Sequence, residues 1–155
     1  MIIDELITDR TKNDVVYGNP KGKYDFEDYN RIGEATNYVA QELINGGYDV
    51  SATAKTDWQN TDIPKDTDIE IYVGNVKAIV NALEMNNQLP TTPKNVLTIL
   101  GANQIEQALK DADYIINRIM DWNDVDSLDY DWETLDSKNI NWNSYFVRKT
   151  QNSII

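Results

Sequence analysis

Residues 25–47 read DFEDYNRIGEATNYVAQELINGG, and this stretch decides the fold class. Tyr29, Ile32, Thr36, Val39 and Leu43 recur at steps of three and four, which puts them on one face of a helix. Asp25 stands where an N-cap belongs. Glu27 and Asp28 follow in the first turn, where the positive end of the helix dipole favours acids. Gly46-Gly47 closes the element as a left-handed C-terminal cap does. The pattern predicts a helix over 25–45.

Two further stretches repeat this grammar. Thr67-Asp68-Ile69-Glu70 matches a capping box, and Ile69, Tyr72, Val76, Ile79 and Leu83 keep the helical spacing, with Val73 and Val80 widening the stripe. A helix is predicted over about 67–86. After Pro90 and Pro93, Thr98 caps a third helix reaching about Trp122, with Ile105, Leu109, Ala112, Ile116 and Ile119 on its apolar face. None of these stripes can bury itself alone, so the economical solution is a three-helix bundle at 25–122. The expected fold class is mainly α. Tyr48, Val50, Ala52 and Ala54 alternate with polar residues in the first connection, which allows a short strand there.

The ends read differently. Residues 1–24 contain Gly18, Pro20 and Gly22 and no sustained period, so an extended or irregular N-terminal arm is expected, with Ile2, Ile3, Leu6 and Ile7 as a short docking segment. Residues 123–155 form an acidic, aromatic tail. Asp121-Trp122-Asn123-Asp124-Val125, Asp131-Trp132-Glu133-Thr134-Leu135 and Asn141-Trp142-Asn143-Ser144-Tyr145 repeat every ten residues. The shared pattern is D/N-W-x-x-apolar, and one helical turn would bring each Trp and its apolar follower to one side. Seven acids and no Lys or Arg lie between Arg118 and Lys138.

Composition narrows the function. At 155 residues one domain is expected, and 41% hydrophobic with 26% charged residues is a globular balance. Cysteine and histidine are both absent, which removes disulfides, thiolates, imidazole bases and the triads built on them. A formal charge of −12 repels phosphate backbones, so no nucleic-acid partner is expected. No apolar run is long enough to span a membrane, and MIIDELITDR carries acids where a signal peptide needs Lys or Arg. Asn and Asp number 18 each, which favours caps and turns.

Candidate chemistry is thin. Asp124, Asp126, Asp129 and Asp131 offer hard oxygen ligands, but an EF-hand loop needs a Gly at its turn and a Glu at its twelfth position, where Leu135 stands. A glycosidase would need two carboxylates facing each other across a cleft, and the acids here are spread over caps and tail. No metal, cofactor or enzymatic activity is expected. Lys55-Thr56-Asp57-Trp58 has no catalytic partner, and Trp58 is expected to cover the open end of the bundle. Arg31 is expected to pair with Asp62 or Glu106. Asn75 and Asn103, if buried, need partners. Trp122, Trp132, Leu135, Trp142, Tyr145 and Phe146 are the expected partner-binding residues, since Trp and Tyr anchor interfaces. Two other readings use the same features: glycan stacking by Trp132, Trp142 and Tyr145, and an acidic protein that blocks a nucleic-acid enzyme of the host.

A family resemblance enters on specific residues. Asp9-Arg10-Thr11 with Asp14-Val15, Lys21-Gly22-Lys23-Tyr24-Asp25 with Asp28-Tyr29-Asn30-Arg31-Ile32, Gly47-Tyr48, Lys55-Thr56-Asp57-Trp58, Asp62-Ile63-Pro64, Tyr72-Val73-Gly74-Asn75-Val76 and Leu97-Thr98 with Ala102-Asn103-Gln104-Ile105-Glu106 and Leu109 resemble phage and prophage virion structural proteins. These are small tail, baseplate or fibre-associated modules of phages of Firmicutes. The resemblance covers about residues 9–122. It departs at Gly101, where similar sequences often carry Glu, and at Ile71, where many carry Arg. It implies a non-catalytic virion component, assembled in the host cytoplasm without a signal peptide. Its implied partners are other virion proteins in a symmetric oligomeric assembly.

Overall fold

Caps and apolar stripes of the kind just described place the long helices among the described residues. The computed structural model describes the backbone of residues 1–96 and 98–127 and the side chains of 1–96 and 98–119. Helix α1 spans Lys12–Val16, α2 Phe26–Asn45, α3 Asp66–Ala82, α4 Pro93–Val96 and α5 Ile99–Ser127, with 3-10 turns at Ile2–Glu5 and Pro20–Gly22. The fold is mainly α, and no strand occurs among the described residues.

Helix α2 begins as its sequence demands. The Asp25 carboxylate accepts the Glu27 N–H, and the Asp28 carboxylate accepts the Asp25 N–H, so two orphan donors of the first turn are satisfied. Its end is a left-handed glycine, Gly47 at φ +84°, with the Tyr48 N–H bonded back to the Leu43 carbonyl at 2.9 Å. Helix α3 departs from the expected 67–86 at both ends. Asp68, not Glu70, reaches back to a backbone N–H, that of Lys65 at 2.9 Å, which moves the cap two residues earlier, from Thr67 to Lys65. The helix stops at Ala82 because Glu84 turns to φ +52° and the Met85 N–H bonds to the Val80 carbonyl at 2.9 Å. No glycine announces that stop in the sequence. Helix α5 starts at the expected cap, with Thr98 Oγ1 accepting the Gly101 N–H at 3.0 Å, and runs to Ser127, past the expected 122. Gly101 is required there, because a Cβ would lie 2.0 Å from the Asn95 carbonyl oxygen.

The three predicted stripes form the core. Ile32, Val39 and Leu43 of α2, Val76 and Ile79 of α3, and Ile105, Leu109 and Ala112 of α5 are fully buried. A side chain of this size contributes about 1.5–3 kcal/mol when it leaves water. Leu83 and Ile119, the last residues of their stripes, are half-buried. The arm expected to be extended or irregular instead carries two 3-10 turns and helix α1, and its first residues join the same core: Ile3 and Leu6 are buried, and Ile2 packs against the cluster.

The strand allowed over Tyr48–Ala54 is absent, although its alternation is real. Val50 is buried, Ala52, Ala54, Thr56 and Trp58 are half-buried, and the residues between them are exposed. The segment alternates because it lies on a helix, and helix side chains replace the missing neighbouring strand.

Candidate functional site

Two irregular segments, 6–11 and 53–58, lie along the long helices, and the chain's most specific polar chemistry holds them. The second is gripped by amides. Asn30 donates to the Trp58 carbonyl at 2.9 Å and accepts the Trp58 N–H at 2.8 Å. Asn37, two helical turns on, does the same to Ala54 at 2.9 and 2.7 Å. Asn75 of α3 donates to the Thr53 carbonyl at 2.8 Å. An Asn side chain carries the donor and acceptor of a peptide group, so it can pair with backbone as a strand would. Between the two clasps sits Gly33, where a Cβ would lie 2.4 Å from the Lys55 carbonyl oxygen.

The first segment is gripped by charge. Arg10 Nη2 lies 2.9 Å from Asp28 Oδ1 and 2.6 Å from Glu106 Oε1, and its Nη1 donates to the Ile7 carbonyl at 2.6 Å. Arg31 Nη2 reaches the same Asp28 Oδ1, and Glu106 Oε1 at 3.2 Å. The other Glu106 oxygen accepts the Ile7 N–H. Asn103 of α5 clasps Arg10 through both backbone groups, accepting its N–H at 3.1 Å and donating to its carbonyl at 2.9 Å. Two guanidiniums and two carboxylates therefore balance in an enclosed site. The Arg10, Asp28 and Glu106 side chains are only 3%, 8% and 0% exposed. Burial opposes the charge of Arg31, but the carboxylates of Glu106 and Asp28 outweigh it and raise its affinity for its proton.

An aromatic group adjoins this cluster. Tyr29 packs on Tyr24, Trp58 and Tyr72 with ring centroids 5.3–5.6 Å apart, and the Tyr24 and Tyr72 hydroxyls are 2.9 Å from each other. The Arg10 guanidinium lies 5.6 Å from the Tyr24 ring centre. Burial pushes the Tyr29 hydroxyl up to about 12 and raises Tyr24 and Tyr72 as well. These phenols keep their protons near neutral pH, so they pack and hydrogen-bond rather than exchange protons.

The residues singled out from the sequence divide into two groups. Trp132, Leu135, Trp142, Tyr145 and Phe146 lie outside the described residues. Trp122 lies on the α5 backbone, with its side chain outside those described. Of the two partners expected for Arg31, Glu106 takes that role, while Asp62 lies 3.7 Å from Lys55. Trp58 covers Tyr29, with Lys55 Nζ 4.5 Å above its ring. Sequence reasoning missed Arg10, Asn30, Gly33 and Asn37. The recurrence of Asn, Gly and Asn on one side of α2 was the available signal.

Among the described residues no group of His, Cys, Asp and Glu has the geometry of a metal site, and no helix is long and apolar enough to cross a membrane. A groove of about 450 Å³ lies between α3 and the following loop, lined by Ile69, Val73, Val80, Met85, Leu89 and Pro90 among others. Set against family models, curated proteins and solved structures, the chain has no match.

Proposed function

We propose that this chain is a non-enzymatic structural protein of a phage virion, a tail, baseplate or fibre connector that binds other virion subunits. Its helical core serves as the rigid part, and the C-terminal Trp-repeat tail presents Trp122, Trp132, Leu135, Trp142, Tyr145 and Phe146 to successive sites on a repeated assembly. The observation that carries this reading is the ten-residue D/N-W-x-x-apolar repeat, whose first copy, 121–125, sits on the backbone of α5. Evenly spaced large apolar groups suit a partner that offers evenly spaced pockets. The polar residues of the core fit the same reading, since Arg10, Asp28, Arg31, Glu106 and the clasping asparagines are engaged in holding the chain's own segments.

Mass spectrometry of particles purified from a host that makes this chain tests the proposal. A fixed copy number in multiples of three or six is expected, and absence from the particle overturns the reading. Deleting residues 123–155 should abolish incorporation while the helical circular-dichroism signal of the core persists. A truncated chain that still enters particles shows that the tail is not the docking element.

A further inference from the structure

The cluster around Arg10 has the construction of a ligand site whose ligand belongs to the chain itself. The recognised group is a guanidinium, held by two carboxylates and an aromatic face. The backbone that carries it is read separately, by Asn103 at Arg10 and by Glu106 at the Ile7 N–H. Two apolar anchors, Ile3 and Leu6, fill buried positions before it. These contacts form without the segment entering a helix or sheet of its partner, so residues 1–11 act as a strap laid on α2 and α5.

The connection behind the strap adds nothing to the core. From Lys12 to Lys23 no residue is buried, and α1 and the Pro20–Gly22 turn pack on each other, with Gly22 against the Asp14 backbone. Val15, Val16 and Tyr17 stand on this connection 49%, 64% and 76% exposed, an uncovered apolar group beside the strap. The Nε atoms of Arg10 and Arg31 are buried without a hydrogen-bond partner among the described residues.

We propose that the Asp28–Glu106–Asn103 cleft is a receptor for an extended, arginine-bearing peptide, and that the strap of a second copy of this chain takes the place of the resident one. Exchange conserves every strap contact, because the incoming segment is identical and the buried charges remain balanced. It adds the burial of Val15, Val16 and Tyr17 where the two connections cross. Exchange of an identical element is a low-cost route to a dimer. The inference rests on residues 1–106 alone and stands apart from the reading of the tail.

The test uses the full chain and a synthetic peptide of residues 1–11. Wild-type copies with different isotope labels, mixed at high concentration, should give mixed dimers in native mass spectrometry, and excess peptide should deplete them. The peptide should bind the full-length R10A chain saturably at one to one and raise its unfolding temperature. A peptide carrying R10A should bind at least tenfold more weakly. Should the R10A chain fail to fold, the two peptides compared as competitors of the wild-type dimer decide the matter. A chain that stays monomeric at every concentration, or two peptides that act alike, overturns the proposal.

Discussion

Residues 6–11 and 53–58 present the same problem to the fold and receive opposite solutions. Each is a stretch of irregular chain on a helical surface, with peptide groups that need partners. Around 53–58 the partners are neutral: Asn30, Asn37 and Asn75 divide the work, and each bond is separately expendable. Around 6–11 the partners are ions that share one enclosed site, so no member can leave without stranding the others. Breaking a buried pair costs far more than the pair contributes, because the remaining charge is left without water or partner. One segment is therefore held by increments, and the other is held as a unit.

The largest expected effect comes from unbalancing the ionic site. Glu106→Ala leaves two guanidiniums facing one carboxylate and should cost about 3–5 kcal/mol in denaturant unfolding. A loss under about 1 kcal/mol would place the strap in the same class as the neutral segment. Gly33→Ala comes next. Its methyl would meet the Lys55 carbonyl, so segment 53–58 must shift, at about 1–3 kcal/mol for overpacking. Trp58 fluorescence should change with it, and an unaltered spectrum would show that the close approach is dispensable.

Asn37→Ala removes one of the two clasps and should cost about 1–2 kcal/mol, with faster hydrogen exchange confined to the amide of Ala54 and its neighbours. Loss of protection across all three helices would show that this segment, too, is held as a unit. The smallest effect lies beside the strap. Hydrogen bonds from Thr11 and Asn19 hold the Asp14 carboxyl at about 2, below its ordinary 3.8. A depressed acid stabilises the fold above its unfolded value. That contribution disappears as pH falls from 3.8 toward 2. Asp14→Asn should flatten the acid limb of stability in that window, and an unchanged limb would show that the α1 cap adds nothing to the strap's anchorage.

Much of the helical framework was legible in the residues. The stripe from Tyr29 to Leu43, the Asp25 cap, the Gly47 stop and the Thr98 cap are local signals, and each governs atoms a few residues away. Where local signals were ambiguous the reading slipped. Asp68 and Glu70 both suit the third position of a first turn, and only Asp68 meets a backbone N–H. Glu84 takes a left-handed conformation that sequence grammar reserves for Gly or Asn.

The candidate site was far less legible, since it joins residues remote in sequence. Arg10, Asp28 and Glu106 look like three surface charges until the chain brings both carboxylates within 3 Å of the Arg10 guanidinium. The alternation of Tyr48–Ala54 suggested a short strand, and the segment instead pairs with helix side chains, because an Asn on a helix gives no sign that it will stand in for a strand. The sequence by itself determined the three long helices, the caps of α2 and α5 and the apolar faces, because backbone geometry and side-chain period act over one or two turns. Only the tertiary structure decided which charges are buried and which amides clasp backbone, because desolvation and pairing depend on neighbours that distant segments supply.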